Sequence, residues 1–374
     1  MVEVFVSIVS FIALMAILIG VHELGHLYVA RANGVFCESI SLGMGKVIWE
    51  RTDKKNTKWR LSILPIGGYV KMFGDADASS VREKIPEGYS EADMNAMSAF
   101  RKKPWQRILI ALGGPVANFL LAIFVFFALN VFRGIPEPQN IVKVISKDCV
   151  AFQSGIRTGD KIVSINGINT DTFADIAKAL KKEKNSLNIS INRKEEKINI
   201  KTKNPGKLGI MPDKVEYKKT GVLNGFCSAL KTTYRVGAQN MLGIVKIFKF
   251  DNMDNVGGPL SMFKMTKEQK GLCDFFAMLA LFSVMLGAIN LLPIPILDGG
   301  AVLLSSIEWI TGRRLKEKTV EVISIVGLVI VGGLMLLGIW NDTKQFSSTK
   351  KLIVLGLIAT YYGIKYLRDK IKKK

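Results

Sequence analysis

Histidine and cysteine are scarce in this chain of 374 residues, which has two histidines and four cysteines. The cysteines (Cys37, Cys149, Cys227 and Cys273) are scattered and form no C-x-x-C pair, so neither a disulfide framework nor a cysteine zinc site is indicated. No aromatic and basic RNA-binding motif accompanies the net charge of +21. We therefore expect the basic residues to attract anionic lipid headgroups, and we expect no nucleic-acid partner.

Charged residues are few in four apolar blocks of the sequence, 3–21, 107–132, 274–297 and 319–340. Each block is long enough to cross about 30 Å of hydrocarbon, which predicts a protein embedded in a lipid bilayer. No basic segment precedes the first block, so we do not interpret it as a cleaved signal peptide. A fifth block, 352–367, is marginal and predicts either a fifth span or a helix at the membrane interface.

Both histidines of the chain belong to the motif His22-Glu23-Leu24-Gly25-His26, at the end of the first apolar block. Histidines four positions apart on a helix project from one face and can bind the same Zn²⁺. Glu23 is then placed to deprotonate the water that attacks the substrate. Because a helix buried in lipid rarely holds such polar residues without a functional reason, the motif predicts a zinc hydrolase that acts at membrane depth.

A catalytic zinc ion usually has three protein ligands, and the chain has no third histidine to supply one. Asp298 is the better carboxylate candidate, since Asp274 begins its span on the side away from the histidines. Asp298 follows Pro293 and Pro295, which break the helix at the end of the third span. If spans one and three run in the same direction, Asp298 lies near the histidines. We therefore expect a zinc site made by His22, His26 and Asp298.

The polar region after the first span is predicted to form strands at 39–42, 46–49 and 59–64, separated by turn residues. Gly67 and Gly68 follow them. The region forms either a hairpin that dips into the membrane or a soluble meander. A hairpin with a free edge could bind substrate, because an unwound substrate segment could pair with that edge as an added strand.

Small and polar residues also occur inside the second span. Gly113 and Gly114 favour close packing of helices, whereas Asn118 needs a hydrogen-bond partner at membrane depth. We expect Asn118 to contact either the substrate or a catalytic neighbour.

Residues 136–215 are predicted to form a soluble module of short strands around one helix near 171–183. Its segment S-G-I-R-T-G-D-K-I at 154–162, followed by I-N-G at 165–167, resembles the PDZ domain in its circularly permuted bacterial form. PDZ domains bind peptide ends by adding a strand to a sheet edge, so the resemblance implies a peptide ligand. The alternative is a spacer that blocks access to the site without binding any peptide.

The pairing of H-E-x-x-H at 22–26 with N-x-x-P-x-P-x-L-D-G at 290–299 resembles the site-2 protease family of intramembrane zinc metalloproteases, peptidase family M50. With a PDZ-like module between spans two and three, the chain resembles the bacterial regulator-of-sigma-E proteases in that family. The resemblance implies zinc ligation by His22, His26 and Asp298, with Glu23 as general base. It implies regulated cleavage of single-pass membrane proteins, such as anti-sigma factors or remnant signal peptides. For substrate contact it implies Asn290, Pro293, Gly67 and Gly68. Asn118 of the second span is a further candidate for substrate contact.

We therefore predict a polytopic α-helical membrane protein with four transmembrane helices, a membrane-associated β-hairpin region and one inserted PDZ domain. The resemblance implies a multi-pass protein of the bacterial inner membrane. Positive residues in the short loop 308–318 favour an orientation with the active site towards the cytoplasm and the PDZ domain on the periplasmic side. The predicted segments are a first span at 1–30, a cytoplasmic region at 31–104, a second span at 105–132, the PDZ domain at 136–215, amphipathic surface helices at 216–270, a third span at 271–300, a fourth span at 319–340 and a basic tail at 341–374.

Two other classes of protein fit part of the pattern. A transporter or channel also uses broken helices and intramembrane acids, but it gives no reason for a glutamate between the two histidines, and no inverted repeat is evident. A catalytically silent scaffold could present the PDZ domain at the membrane. Zinc content and cleavage of a transmembrane reporter distinguish these classes from a protease.

Overall fold

The computed structural model describes residues 2–75, 85, 87–182, 186–203, 208–249, 257–267, 269 and 271–344. The predicted fifth block at 352–367 lies outside the described residues. The chain forms two compact units, one built from 1–126 together with 230–374 and the other from 127–229. The helices of the described ranges, in chain order, are α1 (Val2–Ala32), α2 (Glu91–Met97), α3 (Pro104–Phe132), α4 (Val150–Gln153), α5 (Phe173–Lys182), α6 (Val222–Phe248), α7 (Pro259–Lys267), α8 (Leu272–Asn290), α9 (Asp298–Thr311) and α10 (Glu317–Lys344).

The strands are shorter, apart from the first two. In chain order they are β1 (Cys37–Thr52), β2 (Lys58–Met72), β3 (Ile135–Pro138), β4 (Val142–Val144), β5 (Lys161–Ile165), β6 (Ile168–Asn169), β7 (Ser186–Arg193), β8 (Glu196–Lys203), β9 (Ile210–Pro212) and β10 (Val215–Lys218).

Four helices within the described residues, α1, α3, α8 and α10, are long and apolar enough to cross a membrane, which confirms the prediction of four apolar spans. The third predicted span, at 271–300, is divided in the structure. The helix α8 ends at Asn290, residues 291–297 are not helical, and α9 begins at Asp298. The division follows from Pro293 and Pro295, which provide no amide hydrogen for a continuous helix.

The strands β1 and β2 bend so strongly that they form four paired segments. The first half of β1 lies between the two halves of β2, because Ile40 is opposite both Val70 and Trp59. The second half of β1 pairs only with the first half of β2. The segment 68–72 is therefore an edge of this sheet, and no strand of the described residues pairs with its outer side.

The sheet is packed and tied against the end of α1. Leu27 and Ala30 of α1 share a buried cluster with Cys37 and Ile40 of β1 and with residues of β2. At the turn between the strands, Asp53 Oδ2 accepts a hydrogen bond from Arg31 Nη2 at 2.6 Å. The sheet is thus held at the end of the helix that carries the two histidines.

The helix α7 is held between two of the apolar helices. Phe263 of α7 makes an edge-to-face contact with Phe11 of α1, with ring centroids 5.9 Å apart. The carboxylate of Asp342 in α10 accepts hydrogen bonds from the backbone N–H groups of Gly258 at 3.2 Å and of Leu260 at 2.9 Å. The turn at 257–259 therefore serves as the capped start of α7.

The helix α6 belongs to the region predicted to form amphipathic surface helices, but part of it packs against other helices. Its residue Gly237 faces Phe119 of α3 and Val284 of α8. This part of the predicted region of surface helices therefore packs on two apolar helices.

The second unit has its own core. Its four-stranded sheet has the order β6-β5-β7-β8, and β4–β9 and β3–β10 form two further antiparallel pairs. Ile162, Ile165, Leu187, Ile189 and Ile176 are among the fully buried residues that join this sheet to α5. The helix α5 thus lies where the sequence predicts a helix, and short strands accompany it as predicted, while the identity of this unit as a PDZ domain stays a prediction.

Candidate metal centre

The two histidines and Asp298 meet at one point of the first unit. The Nε2 atoms of His22 and His26 lie 3.2 Å apart. Asp298 Oδ2 is 3.2 Å from His22 Nε2, and Asp298 Oδ1 is 3.3 Å from His26 Nε2. These residues form a group of donor atoms that all lie within 4.8 Å of one another.

These separations fit a zinc ion. Ligand distances of about 2.0–2.1 Å in tetrahedral geometry place neighbouring donor atoms about 3.3 Å apart, close to the three separations in this cluster. Asp298 Oδ2 is buried and has no hydrogen-bond partner among the described residues. A buried carboxylate oxygen without a partner is costly unless a cation compensates it. The donor set of two imidazoles and one carboxylate is one that catalytic zinc sites use.

The position of Asp298 depends on the break between α8 and α9. Asp298 is the first residue of α9, and Leu297 before it is extended with ψ at 162°. The non-helical segment 291–297 turns the chain back, so that Gly299 in the first turn of α9 approaches the carbonyl of Leu291, the residue after α8. The helix break that the prolines impose therefore places the carboxylate beside the histidines of α1.

The other ring nitrogen of each histidine contacts α3. His26 Nδ1–H donates a hydrogen bond to the carbonyl of Ile110 at 2.8 Å, which leaves the Nε2 lone pair for a metal. His22 Nδ1 lies 3.1 Å from the side-chain amide of Asn118, whose Oδ1 has no partner within the described structure. Rotating the side-chain amide of Asn118 by 180° exchanges Oδ1 and Nδ2. Oδ1 of Asn118 then accepts a hydrogen bond from Nδ1–H of His22.

Close packing of α1 on α3 makes these contacts feasible. A Cβ atom at Gly114 would overlap His26 Nε2 and His22 Cε1. A glycine is therefore required where α3 passes the two imidazoles, which agrees with the packing role predicted for Gly113 and Gly114.

Glu23 lies beside the ligands and lines a cavity of about 570 Å³ that extends from the metal centre. Gly68 of β2 also lines this cavity, and a Cβ atom at Gly68 would lie 2.9 Å from Glu23 Cγ and 2.8 Å from Ile19 Cγ2. The edge segment of the sheet and the glutamate thus face the same space. Part of the cavity wall is charged, because Arg107, Glu308 and Arg314 also line it.

The residues predicted to contact substrate have different locations. Asn290 is at the metal centre, with Nδ2 3.3 Å from His22 Nε2, and Gly68 lines the cavity. Gly67 and Pro293 are not part of the cavity wall, although Gly67 adjoins Gly68. Asn118 is fully buried behind His22, so of its two predicted roles the structure favours contact with a catalytic neighbour over contact with substrate.

Residues 10–334 match the family model described as Peptidase family M50. The chain belongs to peptidase family M50. As a member of this family it is a zinc metalloendopeptidase, and the donor set at 22, 26 and 298 agrees with that chemistry.

Proteins across bacteria are similar to this M50 peptidase over nearly their whole length. A candidate zinc metalloprotease of Agrobacterium fabrum is 30% identical over 364 residues, which cover 90% of this chain and 96% of the relative. A candidate zinc metalloprotease of Campylobacter jejuni is 32% identical over 359 residues, covering 91% and 94%. The regulator of sigma-W protease RasP of Bacillus subtilis is 25% identical over 417 residues, covering 91% and 98%.

Two residues of the cavity wall, Arg107 and Glu308, are not predicted from the sequence as site residues. Arg107 lies near the start of the apolar helix α3, and Glu308 lies within the apolar stretch of α9. A charged residue inside an apolar helix is a signal of function, and it could have pointed to both.

Proposed function

We propose that this M50 peptidase cleaves peptide bonds within the transmembrane segments of single-pass membrane proteins, as a step of regulated intramembrane proteolysis. The observation that carries the proposal is the position of the ligands, since His22 and His26 are on α1, a helix long and apolar enough to span the bilayer. A scissile bond must reach the depth of these side chains. The name of one relative, regulator of sigma-W protease RasP, supports substrates that control a sigma factor, such as anti-sigma factors. Remnant signal peptides are a second proposed class, which the resemblance to the family implies.

Zinc held by His22, His26 and Asp298 would supply Lewis-acid chemistry, which polarises a carbonyl and lowers the pKa of water. Glu23 is the general base that takes a proton from the attacking water and returns it to the leaving amine. Asn290, next to His22 Nε2, is placed to donate a hydrogen bond to the substrate at the same point. Asn118 and the Ile110 carbonyl keep the imidazoles oriented.

The free edge of β2 addresses the main difficulty of cleaving a helix in lipid. Unpairing backbone groups of a transmembrane helix costs several kcal/mol per group unless other partners replace them. The segment 68–72 has an outer side that no strand of the described ranges occupies, and it lines the cavity next to Glu23. We infer that an unwound substrate segment adds to this edge as a strand, with its scissile carbonyl near the metal centre.

A reconstituted assay tests this function against its rivals. The purified chain in liposomes receives a reporter protein with one transmembrane helix, and zinc content, fragment formation and ion flux are measured. Our proposal predicts about one zinc ion per chain and cleavage inside the helix. Ion flux without cleavage would identify a transporter, and neither flux nor cleavage would identify a scaffold. As a matched substrate control, a reporter whose helix is made hydrophilic and soluble should be cleaved far more slowly.

The orientation in the membrane belongs to the same proposal. Arg313, Arg314 and Lys316 in the loop between α9 and α10 favour a cytoplasmic location for this loop and for the active-site ends of the spans. Since α3 is a single span between the metal centre and residues 136–215, that module is assigned to the extracytoplasmic side of a bacterial inner membrane. A cysteine introduced at Lys143 should be labelled by an impermeant thiol reagent in intact cells, whereas one introduced at Arg313 should be labelled only after the cells are permeabilised.

The module at 136–215 is proposed to be a PDZ domain that binds a peptide of the substrate. Its β9 strand pairs with β4 on one side, and no strand of the described residues pairs with the other side of β9. A peptide could add to that edge. Binding of fluorescent peptides to the full chain tests this role, and a module that only blocks access sterically would bind none of them.

A further inference from the structure

An ion pair in the wall of the cavity joins two helices. Arg107 in the first turns of α3 donates a short hydrogen bond from Nη1 to Glu308 Oε2 in α9. The other carboxylate oxygen, Glu308 Oε1, accepts a hydrogen bond from the backbone N–H of Leu315 at 3.1 Å. The side chain of Glu308 is only 8% exposed, and that of Arg107 is 23% exposed. Both oxygens of a buried carboxylate are therefore paired.

A pair of this kind contributes little net stability. Removing two charges from water costs nearly as much as their attraction returns, so replacing both by apolar or neutral residues of similar size is often neutral. Removing one partner is costly, because it leaves a buried charge without compensation. The role of the Arg107–Glu308 pair is therefore better explained by the two helices that it connects than by the stability that it adds.

The pair connects the helix that orients the histidines with the helix that carries the aspartate. The helix α3 contacts His26 through the Ile110 carbonyl and His22 through Asn118. The helix α9 begins with Asp298, and ten positions separate Asp298 from Glu308, about 15 Å along the helix. One end of α9 therefore bears a metal ligand, while the other end is bonded to α3.

Small movements of α9 matter because metal coordination is exacting. Rotation of a helix by about 10° moves an atom that lies about 6 Å from its axis by about 1 Å. Metal–ligand distances tolerate deviations of only about 0.2 Å. A contact that fixes the rotation of α9 relative to α3 thus bears directly on whether Asp298 can reach the same ion as the two histidines.

Two further hydrogen bonds lie at the C-terminal end of α9, the end that carries Glu308. Gly312 donates its backbone N–H to the carbonyl of Glu308 at 2.9 Å, which ends the helix there. Arg314 Nη2 donates to the carbonyl of Phe100 at 2.9 Å, just before α3 begins. The loop after α9 is thereby tied to the chain that leads into α3.

We propose that Arg107 and Glu308 are positioning residues that fix α9 on α3 and so keep Asp298 within coordination distance of His22 and His26. The inference rests on the metal site of the proposed protease and is independent of its substrate. It assigns a role in metal affinity to two residues that line the cavity and are not among the three donor residues.

Zinc affinity of the purified full chain, measured by competition with a chelator in detergent, tests this proposal. The variants are E308Q, R107M and the double variant R107M/E308Q, and unfolding temperature without metal is measured in parallel. We expect each single variant to weaken zinc affinity about 10- to 100-fold, as outer contacts of metal ligands typically do. The double variant should regain most of the unfolding temperature lost in the singles, since it leaves no buried charge unpaired, but not the zinc affinity.

A matched control removes an ion pair elsewhere. Asp160, which is 1% exposed, is bonded by Arg193 in the second unit at 2.8 Å, so R193M also leaves a buried carboxylate without its partner. We expect R193M to lower the unfolding temperature and to leave zinc affinity within about threefold of wild type.

Wild-type zinc affinity in a folded R107M/E308Q variant would overturn the proposal. If the double variant does not fold, the zinc affinity of E308D tests the proposal instead. This variant keeps both charges but shortens the reach of the carboxylate by about 1.5 Å. Wild-type affinity in E308D would overturn the proposal, and a loss of about tenfold would support it. No substrate is present in these measurements, so failure of the proposed proteolysis in liposomes would be a separate result.

Discussion

The side-chain amide of Asn118 lies 3.1 Å from His22 Nδ1, the ring nitrogen that faces away from the ligand cluster. Asn118 is fully buried, and its backbone carbonyl accepts a hydrogen bond from Ser283 Oγ–H at 2.7 Å. One residue of the second span therefore connects a metal ligand on the first span with the third span. The hydrogen bond fixes which nitrogen of His22 carries the proton.

This relationship predicts different results for two substitutions of Asn118. Asn118→Asp keeps an oxygen that accepts from Nδ1–H, so zinc affinity should stay within about tenfold of wild type. Asn118→Leu has similar size but no acceptor, and zinc affinity should fall about 10- to 100-fold. Chelator competition measures both. Equal affinities in the two variants would show that the amide does not orient His22.

A second prediction concerns the close approach of the sheet edge to the general base. Gly68→Ala places a methyl group against Glu23 Cγ and Ile19, so Glu23 or the edge segment must move. We expect cleavage to fall at least about tenfold while zinc binding persists, since the ligands do not contact Gly68. Reporter cleavage and zinc content are measured on the same preparation.

The control for this variant is on the helix that faces the same sheet. A Cβ atom at Gly20 meets only Leu42 Cδ1 at 3.9 Å, an ordinary contact, so Gly20→Ala should cleave at close to the wild-type rate. If Gly68→Ala were as active as Gly20→Ala, the edge segment would not be placed for catalysis as we describe.

The anchor of the sheet on α1 predicts a dependence on pH. Burial acts to raise the pKa of Asp53, but hydrogen bonds from Arg31, from the Trp59 indole and from the backbone of Thr57 and Lys55 outweigh it, and the pKa is lowered. A lowered carboxyl pKa contributes stability that is present above its unfolded value, about 3.9, and is lost as the pH falls through the folded value.

The substitution Asp53→Asn should therefore lower the unfolding temperature of the metal-free protein between about pH 5 and pH 8. The difference from wild type should shrink as the pH falls below about 4, because the Asp53 carboxyl of the unfolded wild-type chain then takes up a proton, whereas the folded one does so only at lower pH. Thermal unfolding followed by circular dichroism at several pH values measures this. A difference that is constant over the whole range would contradict the assigned anchor.

The grouping of His22, His26 and Asp298 could be predicted from the sequence because each of these residues carries a local signal. The spacing of His22 and His26 matches one helix face, and Pro293 and Pro295 mark the break that precedes Asp298. The bounds of the third span were wrong in part, since the helix ends at Asn290 and a separate helix begins at Asp298. The extent of the third span depends on how the chain turns near the two prolines, and hydropathy does not predict that turn.

Other features depend on contacts between distant segments. Arg107 and Glu308 are 201 positions apart, and neither has a neighbour in sequence that predicts their bond. The double pairing of Ile40, with Val70 and with Trp59, arises from bends that the strand pattern alone does not place. The contact of Asn118 with His22 requires the close packing of α1 on α3, so the sequence left two roles open for that residue.

The central claim is that Glu23 drives hydrolysis inside the membrane at the site of His22, His26 and Asp298. The most direct measurement is mass spectrometry of the fragments of a reporter helix cleaved in liposomes by wild type and by Glu23→Gln, with zinc content determined for both. We expect wild type to cut within the apolar segment, and Glu23→Gln to bind zinc equally well and produce no fragments. Cleavage by Glu23→Gln at the wild-type rate, or wild-type cuts only outside the apolar segment, would contradict the account.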